Sequence, residues 1–209
     1  MRQLFLAFSA FILCLNLNAQ GYTNPIVKGF NPDPSVCRVG EDYYLVTSSF
    51  QYFPGVPIYH SKDLVNWKQI GHVLTRESQL QLEGANSSQG IYAPTIRHHN
   101  GKFYIYSNVN GKGLQCFTSE KITGPWKHHN MKGHIHDLSV LFDDDGKIYA
   151  IHGYGNVVCT ELKPDMSGPV EGSDRIIIEE GNVVGEGHHI YKINGWYYIL
   201  SADYAPIGK

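Results

Sequence analysis

The chain repeats itself four times, and the repeated unit is a β-hairpin. Residues 33–45, 93–105, 137–150 and 186–199 each pass from a short β-prone run through a glycine turn into an aromatic-rich second run. Asn100-Gly101, Asp145-Gly146 and Asn194-Gly195 supply the positive φ that a tight turn needs. In three copies the glycine stands three residues before a tyrosine: Tyr104, Tyr149 and Tyr198. In the first copy Gly40 stands four before Tyr44, which predicts a turn longer by one residue there. The four tyrosines are spaced 60, 45 and 49 residues apart, a period that fits four-stranded propeller blades. The intervening segments also echo each other. Residues 60–68 and 118–127 both end a polar turn in a tryptophan, Trp67 and Trp126, as an outer strand pair would. No segment carries a sustained 3.6-residue period with caps, so little helix is expected. The fourth hairpin, taken from Glu186 to Ser201, is followed by only eight residues, so the fold class expected is an all-β propeller of which this chain covers roughly the first three and a half blades.

Acids recur with the hairpins. Asp33, Asp137 and Glu186 stand at or near the first position of their repeats. Corresponding positions of successive blades converge, so the three carboxyls are expected around one cavity. Cleaving a glycosidic bond takes one carboxylic acid to protonate the leaving oxygen and one carboxylate to activate water or attack carbon. A third carboxylate nearby raises the acid's pKa and keeps its proton on. Singly, Pro32-Asp33-Pro34 reads equally as a rigid turn, Asp137 as an Asx turn and Glu186 as a loop residue. Asp143, Asp144 and Asp145 read as a solvated hairpin turn.

The formal net charge is −2 and there is no basic run, which argues against nucleic acid or an acidic membrane surface as partner. Residues 1–19 read as a secretory signal, with Arg2 before a short apolar stretch and Ala19 at the cleavage point. That stretch is too short for a membrane span. The expected domains are therefore a signal peptide at 1–19 and an incomplete catalytic propeller at 20–209, in a secreted or periplasmic protein. Cys37, Cys116 and Cys159 are too widely and irregularly spaced for a disulfide framework and read as buried thiols. The eleven histidines include His98-His99, His128-His129, His134-x-His136 and His188-His189. Neighbours on a strand face opposite sides, so such pairs rarely chelate an ion. No metal or other cofactor is expected, and the sequence gives no support for an axial calcium. One histidine of each pair, His188 among them, is placed toward the cavity, where it can hydrogen-bond sugar hydroxyls.

Asn31-Pro-Asp-Pro-Ser35, Tyr43–Phe50, Phe53–Trp67 and Gly90-Ile-Tyr-Ala-Pro94 together resemble glycoside hydrolase family 43, in its β-xylosidase and α-L-arabinofuranosidase branch. The resemblance runs from about Asn24 to the end of the chain. It implies a five-bladed propeller and hydrolysis with inversion. It also implies Asp33 as general base, Asp137 as the acid that orients and tunes, and Glu186 as general acid. Phe50, Tyr92 and Ala93 match positions that line the sugar-binding end. Tyr92 replaces the commoner Trp, and Leu138 the commoner Pro. The expected substrate is an oligosaccharide from xylan or with arabinose decorations, attacked at a terminal pentose. Two other readings stay open: a retaining fructan or sucrose hydrolase, and a carbohydrate-binding propeller without catalysis. The sequence does not fix the oligomeric state.

Overall fold

A computed structural model describes residues 21–180 and 185–202. The expected signal peptide lies outside these residues. Among these residues, fourteen strands form three four-stranded antiparallel sheets and one hairpin. Sheet one is β1 (Ser35–Val39), β2 (Asp42–Val46), β3 (Gly55–Ser61) and β4 (Lys68–Leu74). Sheet two is β5 (Ile91–His99), β6 (Lys102–Val109), β7 (Gly113–Ser119) and β8 (Lys127–Asn130). Sheet three is β9 (Ser139–Phe142), β10 (Ile148–His152), β11 (Val157–Leu162) and β12 (Arg175–Ile178). The fourth unit is β13 (His189–Ile193) with β14 (Trp196–Leu200). Each sheet is a meander in chain order. The first strand of each unit lies against the first strand of the next: β1 on β5, β5 on β9, β9 on β13. A single 3₁₀ turn, Glu77–Gln79, is the helical content among the described residues.

Strand alternation builds the core between neighbouring sheets. On β6, Phe103 and Ile105 pack with Val46, Ile58 and Leu74 of sheet one. The residues that alternate with them, Tyr104 and Tyr106, pack instead with Val140, Ile148 and Ala150 of sheet three. A third cluster joins Ile151 and Val157 to Ile190 of β13. Both faces of sheet two are thus buried, whereas Trp196, Tyr198 and Leu200 of β14 are exposed. Cys37, Cys116 and Cys159 are free thiols. Burial pushes the Cys37 thiol up to about 12, out of the reactive range. No helix of the described residues is long and apolar enough to cross a membrane.

Two turns differ from expectation. Val39 pairs with Asp42, so the first hairpin has the same two-residue loop as His99–Lys102 and Ile193–Trp196. Its glycine, Gly40 at φ 62°, takes the first loop position instead of the second, which accounts for the extra residue before Tyr44. The longer turn is the third: Asp143 N–H donates to Lys147 O and Gly146 N–H to Asp143 O, leaving three residues in the loop. Nor is this turn merely solvated. Tyr197 Oη donates to Asp143 at 2.6 Å, and Lys192 bonds both Asp143 and Asp144, tying the third hairpin to the fourth.

Candidate active site

The loops entering the first strands carry the acids. Asp33, Ala93 and Asp137 occupy the same place in their hairpins, two residues before Ser35, Thr95 and Ser139. All three adopt positive φ, at 53°, 34° and 46°. This bend turns the chain into its strand. In the fourth hairpin the residue in that place is Gly187, at φ 65°. Glu186 therefore stands one residue earlier than its supposed counterparts. The offset does not remove it from the site, because it lies in a loop where strand alternation does not apply.

Asp33, Asp137 and Glu186 line one cavity of about 280 Å³, together with Tyr92, Ala93 and Asn108. Ser48 Oγ donates to Asp33 Oδ2 at 2.5 Å and accepts from Ala93 N–H at 2.7 Å, which fixes that carboxyl against β5. His136 Nε2 meets Glu186 Oε2 at 2.5 Å and lies 3.8 Å from Asp137 Oδ2. The Asp137 carboxyl is held above the usual range. Burial is the main cause, and the nearby Glu186 and Asp33 add to it against the opposing pull of His136. Donor atoms of His136, Asp137 and Glu186 fall within 4.8 Å of one another. The imidazole already bonds Glu186, so a cation held by this trio would displace that contact.

Phe50, at φ 47°, exchanges two backbone hydrogen bonds with Ile91. Its ring meets Tyr92 edge-on, with centroids 5.6 Å apart, so it reaches the cavity through Tyr92. The approach depends on Gly90, where an added Cβ would fall 2.1 Å from Phe50 O. His188 is buried and bonds Ser201 Oγ through Nδ1 at 2.7 Å. It lines an adjoining cavity of about 440 Å³ that Asp33 and Asp137 share, not the wall carrying Glu186. Two histidine pairs lie away from the acids altogether. His98 and His99 pack on Phe103 and Phe142, and His128 and His129 bond Gln115 and Thr118. The pair that does face the acids is His134 and His136. Between them Ile135 is buried, and the Asn108 amide grips its backbone at both ends, receiving Ile135 N–H and donating to Ile135 O. With Ile135 clamped inward, the imidazoles on either side of it line the cavity. Ser48 and Asn108 were not identified by sequence, whereas His134 and His136 form one of the histidine pairs expected to send one member toward the cavity and in the structure both line it. Ser48 lies within the segment that carries the family resemblance, but nothing local marks its bond to Asp33.

Residues 22–206 match the model of the glycosyl hydrolases family 43. The chain belongs to that family. Among curated relatives of this family 43 chain is a non-reducing end α-L-arabinofuranosidase of Bacteroides ovatus, 42% identical over 97% of this chain and 40% of its own. Another is a β-xylosidase of Bacillus subtilis, 40% identical over 87% of this chain and 38% of its own. The chain thus spans about two fifths of the curated relatives it matches. Among solved structures, a xyloglucan-locus family 43 protein of Bacteroides ovatus superposes with a TM-score of 0.78 at 43% identity, over 87% of this chain and 38% of that one. A family 43 protein of Bacillus licheniformis superposes at 0.76 with 40% identity, again over 87% and 38%.

Proposed function

We propose that the protein to which this chain belongs is an exo-acting, inverting glycoside hydrolase that removes terminal β-D-xylosyl or α-L-arabinofuranosyl residues from oligosaccharides. The observation that carries this reading is the meeting of Asp33, Asp137 and Glu186 in the wall of one sugar-sized cavity. Asp33 acts as general base and takes a proton from water as that water attacks the anomeric carbon. Glu186 acts as general acid and gives its proton to the glycosidic oxygen as the C–O bond breaks. Asp137 lines the same wall beside Glu186 and orients the acid. Ser48 holds Asp33 and His136 holds Glu186, so both carboxyls start in fixed rotamers. Ala93, near the start of β5, occupies the equivalent position without a carboxyl and leaves room for the pentose. The names of the relatives, an arabinofuranosidase and a β-xylosidase, support both sugars equally. The repeated sheets and the family support a five-bladed propeller, of which the described strands supply three blades and half of a fourth. An exported protein, led by residues 1–19, fits a polysaccharide substrate.

The test is hydrolysis of aryl β-xyloside and aryl α-arabinofuranoside by the protein, with the first-formed anomer followed by NMR. Glu186→Gln and Asp33→Asn are each expected to lose about 10²- to 10⁴-fold in turnover. Full activity in either variant, or a retained anomeric configuration, refutes the assignment. Sequencing the amino terminus of secreted protein tests the leader.

A further inference from the structure

His136 touches the proposed acid at the atom that carries its proton. Its Nε2 meets Glu186 Oε2 at 2.5 Å and lies 3.8 Å from Asp137 Oδ2. An imidazole nitrogen and a carboxyl oxygen that close share one hydrogen, whichever atom carries it. The contact is braced on both sides. Asn108 clamps Ile135 just before His136, and Gly153 N–H donates to His136 O at 3.3 Å. On the facing loop, Ala202 N–H donates to Glu186 O at 2.9 Å. His136 leads into β9 and Glu186 into β13, and these two first strands pack on each other. The pair therefore rests on two units that touch directly.

The groups around this imidazole decide what it can do there. Burial holds the pKa of His152 and of His188 below the ordinary imidazole value, so both rings are neutral at neutral pH and put no positive charge beside His136. His134 shares its cavity wall. The acidic groups that face it are Glu186 in contact, Asp137 at 3.8 Å and Asp33 in the same cavity. No lysine or arginine lines that cavity among the described residues. An imidazole so placed can hand a proton to the carboxylate it touches, or take one back, with no heavy atom moving.

We infer that His136 is the group through which Glu186 regains the proton it gives to the leaving sugar, so that ring and carboxyl ionise as one pair. This rests on the hydrolase reading and deepens it. As the C–O bond breaks, Glu186 gives its proton to the glycosidic oxygen and is left as a carboxylate. His136 Nε2–H then passes its proton to Oε2 and keeps the nitrogen lone pair. Water supplies the ring's next proton, and Asp33 returns to water the one it took from the attacking molecule, so the protons balance over a turnover. Such a pair loses its last proton at higher pH than a lone carboxyl does, because either partner can hold it. His136 is thus a positioning residue that acts on the reaction through Glu186, beyond fixing its rotamer.

The pH profile of kcat on the phenyl pentoside that the protein hydrolyses tests the pairing, in the parent and in His136→Gln and His136→Phe. Glutamine keeps a hydrogen-bond donor near the Nε2 position but cannot pass a proton on, and phenylalanine keeps only the ring shape. The basic limb, where activity falls as the acid loses its proton, is expected to move to lower pH by about one unit or more in both variants. The loss of turnover is expected to be larger on the phenyl glycoside than on its dinitrophenyl counterpart, whose leaving group needs no proton. A role confined to packing or sugar binding lowers kcat or raises KM with the limb in place, and that result overturns the pairing; so does an equal loss on the two substrates. Thermal unfolding checks each variant, and should His136→Phe fail to fold, His136→Gln decides. Nitrogen-15 NMR of the histidine rings reads the pair without turnover. The His136 titration is expected to move to lower pH by about one unit or more in Glu186→Gln, and an unchanged titration overturns the pairing. Turnover with limb and titration unmoved overturns the pairing alone, and a shifted titration without turnover on any pentoside overturns the hydrolase reading alone.

Discussion

Arg97 joins three of the four units. Rising from β5, its Nε donates to Val140 O at 2.5 Å, and its Nη2 donates to Ser139 Oγ at 2.7 Å and Ile190 O at 3.2 Å. Nη1 returns to its own strand at Ile96 O, 2.7 Å away, and the guanidinium lies 5.6 Å from the Tyr191 ring centre. No carboxylate pairs with it among the described residues, and burial holds its pKa below the ordinary arginine value. Arg97→Leu removes three hydrogen bonds from a charged donor to neighbouring units, each contributing ~1.5–3 kcal/mol. It also releases the cost of desolvating a cation, several kcal/mol on its own. The balance leaves a loss of about 3 kcal/mol. For a chain of this size that lowers Tm by roughly 6–12 °C. Arg97→Lys separates the two contributions. It keeps the buried charge but lacks the planar fork that reaches β9 and β13 together, so it should be no more stable than Arg97→Leu. Differential scanning calorimetry at neutral pH reads both. A Tm for Arg97→Leu equal to or above that of the parent shows that desolvation outweighs the bridging bonds and refutes the reasoning.

The raised Asp137 carboxyl makes a pH-dependent prediction. Folding favours its protonated form, so the folded chain binds more protons than the unfolded one between the two pKa values, and stability falls as pH rises through that window. Asp137→Asn should therefore raise Tm at neutral pH and lose that advantage below about pH 4, as thermal melts across a pH series will read. Gly90→Ala places a Cβ 2.1 Å from Phe50 O at φ 112°; it should cost at least ~2 kcal/mol and weaken sugar binding, measured by denaturant unfolding and calorimetry. Asn108→Ala strands the backbone N–H and C=O of buried Ile135, a loss of about 2–4 kcal/mol in the same unfolding assay, and frees the segment that presents His136.

What the sequence revealed and what it hid divide along one physical line. The hairpins were legible because their signals are local: period-two alternation, Asn-Gly turns and a tyrosine at fixed distance from each. The gathering of Asp33 and Asp137 followed from repetition of the same local unit. The one-residue offset of Glu186 was invisible until the strand register fixed Gly187 as the true counterpart. The clamps were hidden for a different reason. Ser48 bonds Asp33 across 15 residues, Asn108 bonds Ile135 across 27 and His136 bonds Glu186 across 50. Serine, asparagine and histidine carry no local mark that distinguishes such a partner from water. The histidine pairs misled because alternation says only that two neighbours face opposite sides, not which side holds the cavity.

The left-handed bend at the start of each first strand ties the fold to its chemistry. Asp tolerates positive φ better than most side chains do, because its short carboxyl can bond the local backbone. Asp33 and Asp137 thus satisfy the bend at little cost while aiming a carboxyl at the cavity. Glycine satisfies it at Gly187 without filling space, which lets Glu186 reach in from the preceding position. Ala93 has neither advantage, yet it keeps φ 34°. Its N–H is held by Ser48, which in turn holds Asp33. The one equivalent bend without an acid therefore braces an acid on its neighbour. A larger side chain at position 93 would fill the space between Asp33 and Asp137, whereas Ala93→Gly should relax the bend and leave the Ser48 contact, and with it the Asp33 rotamer, in place.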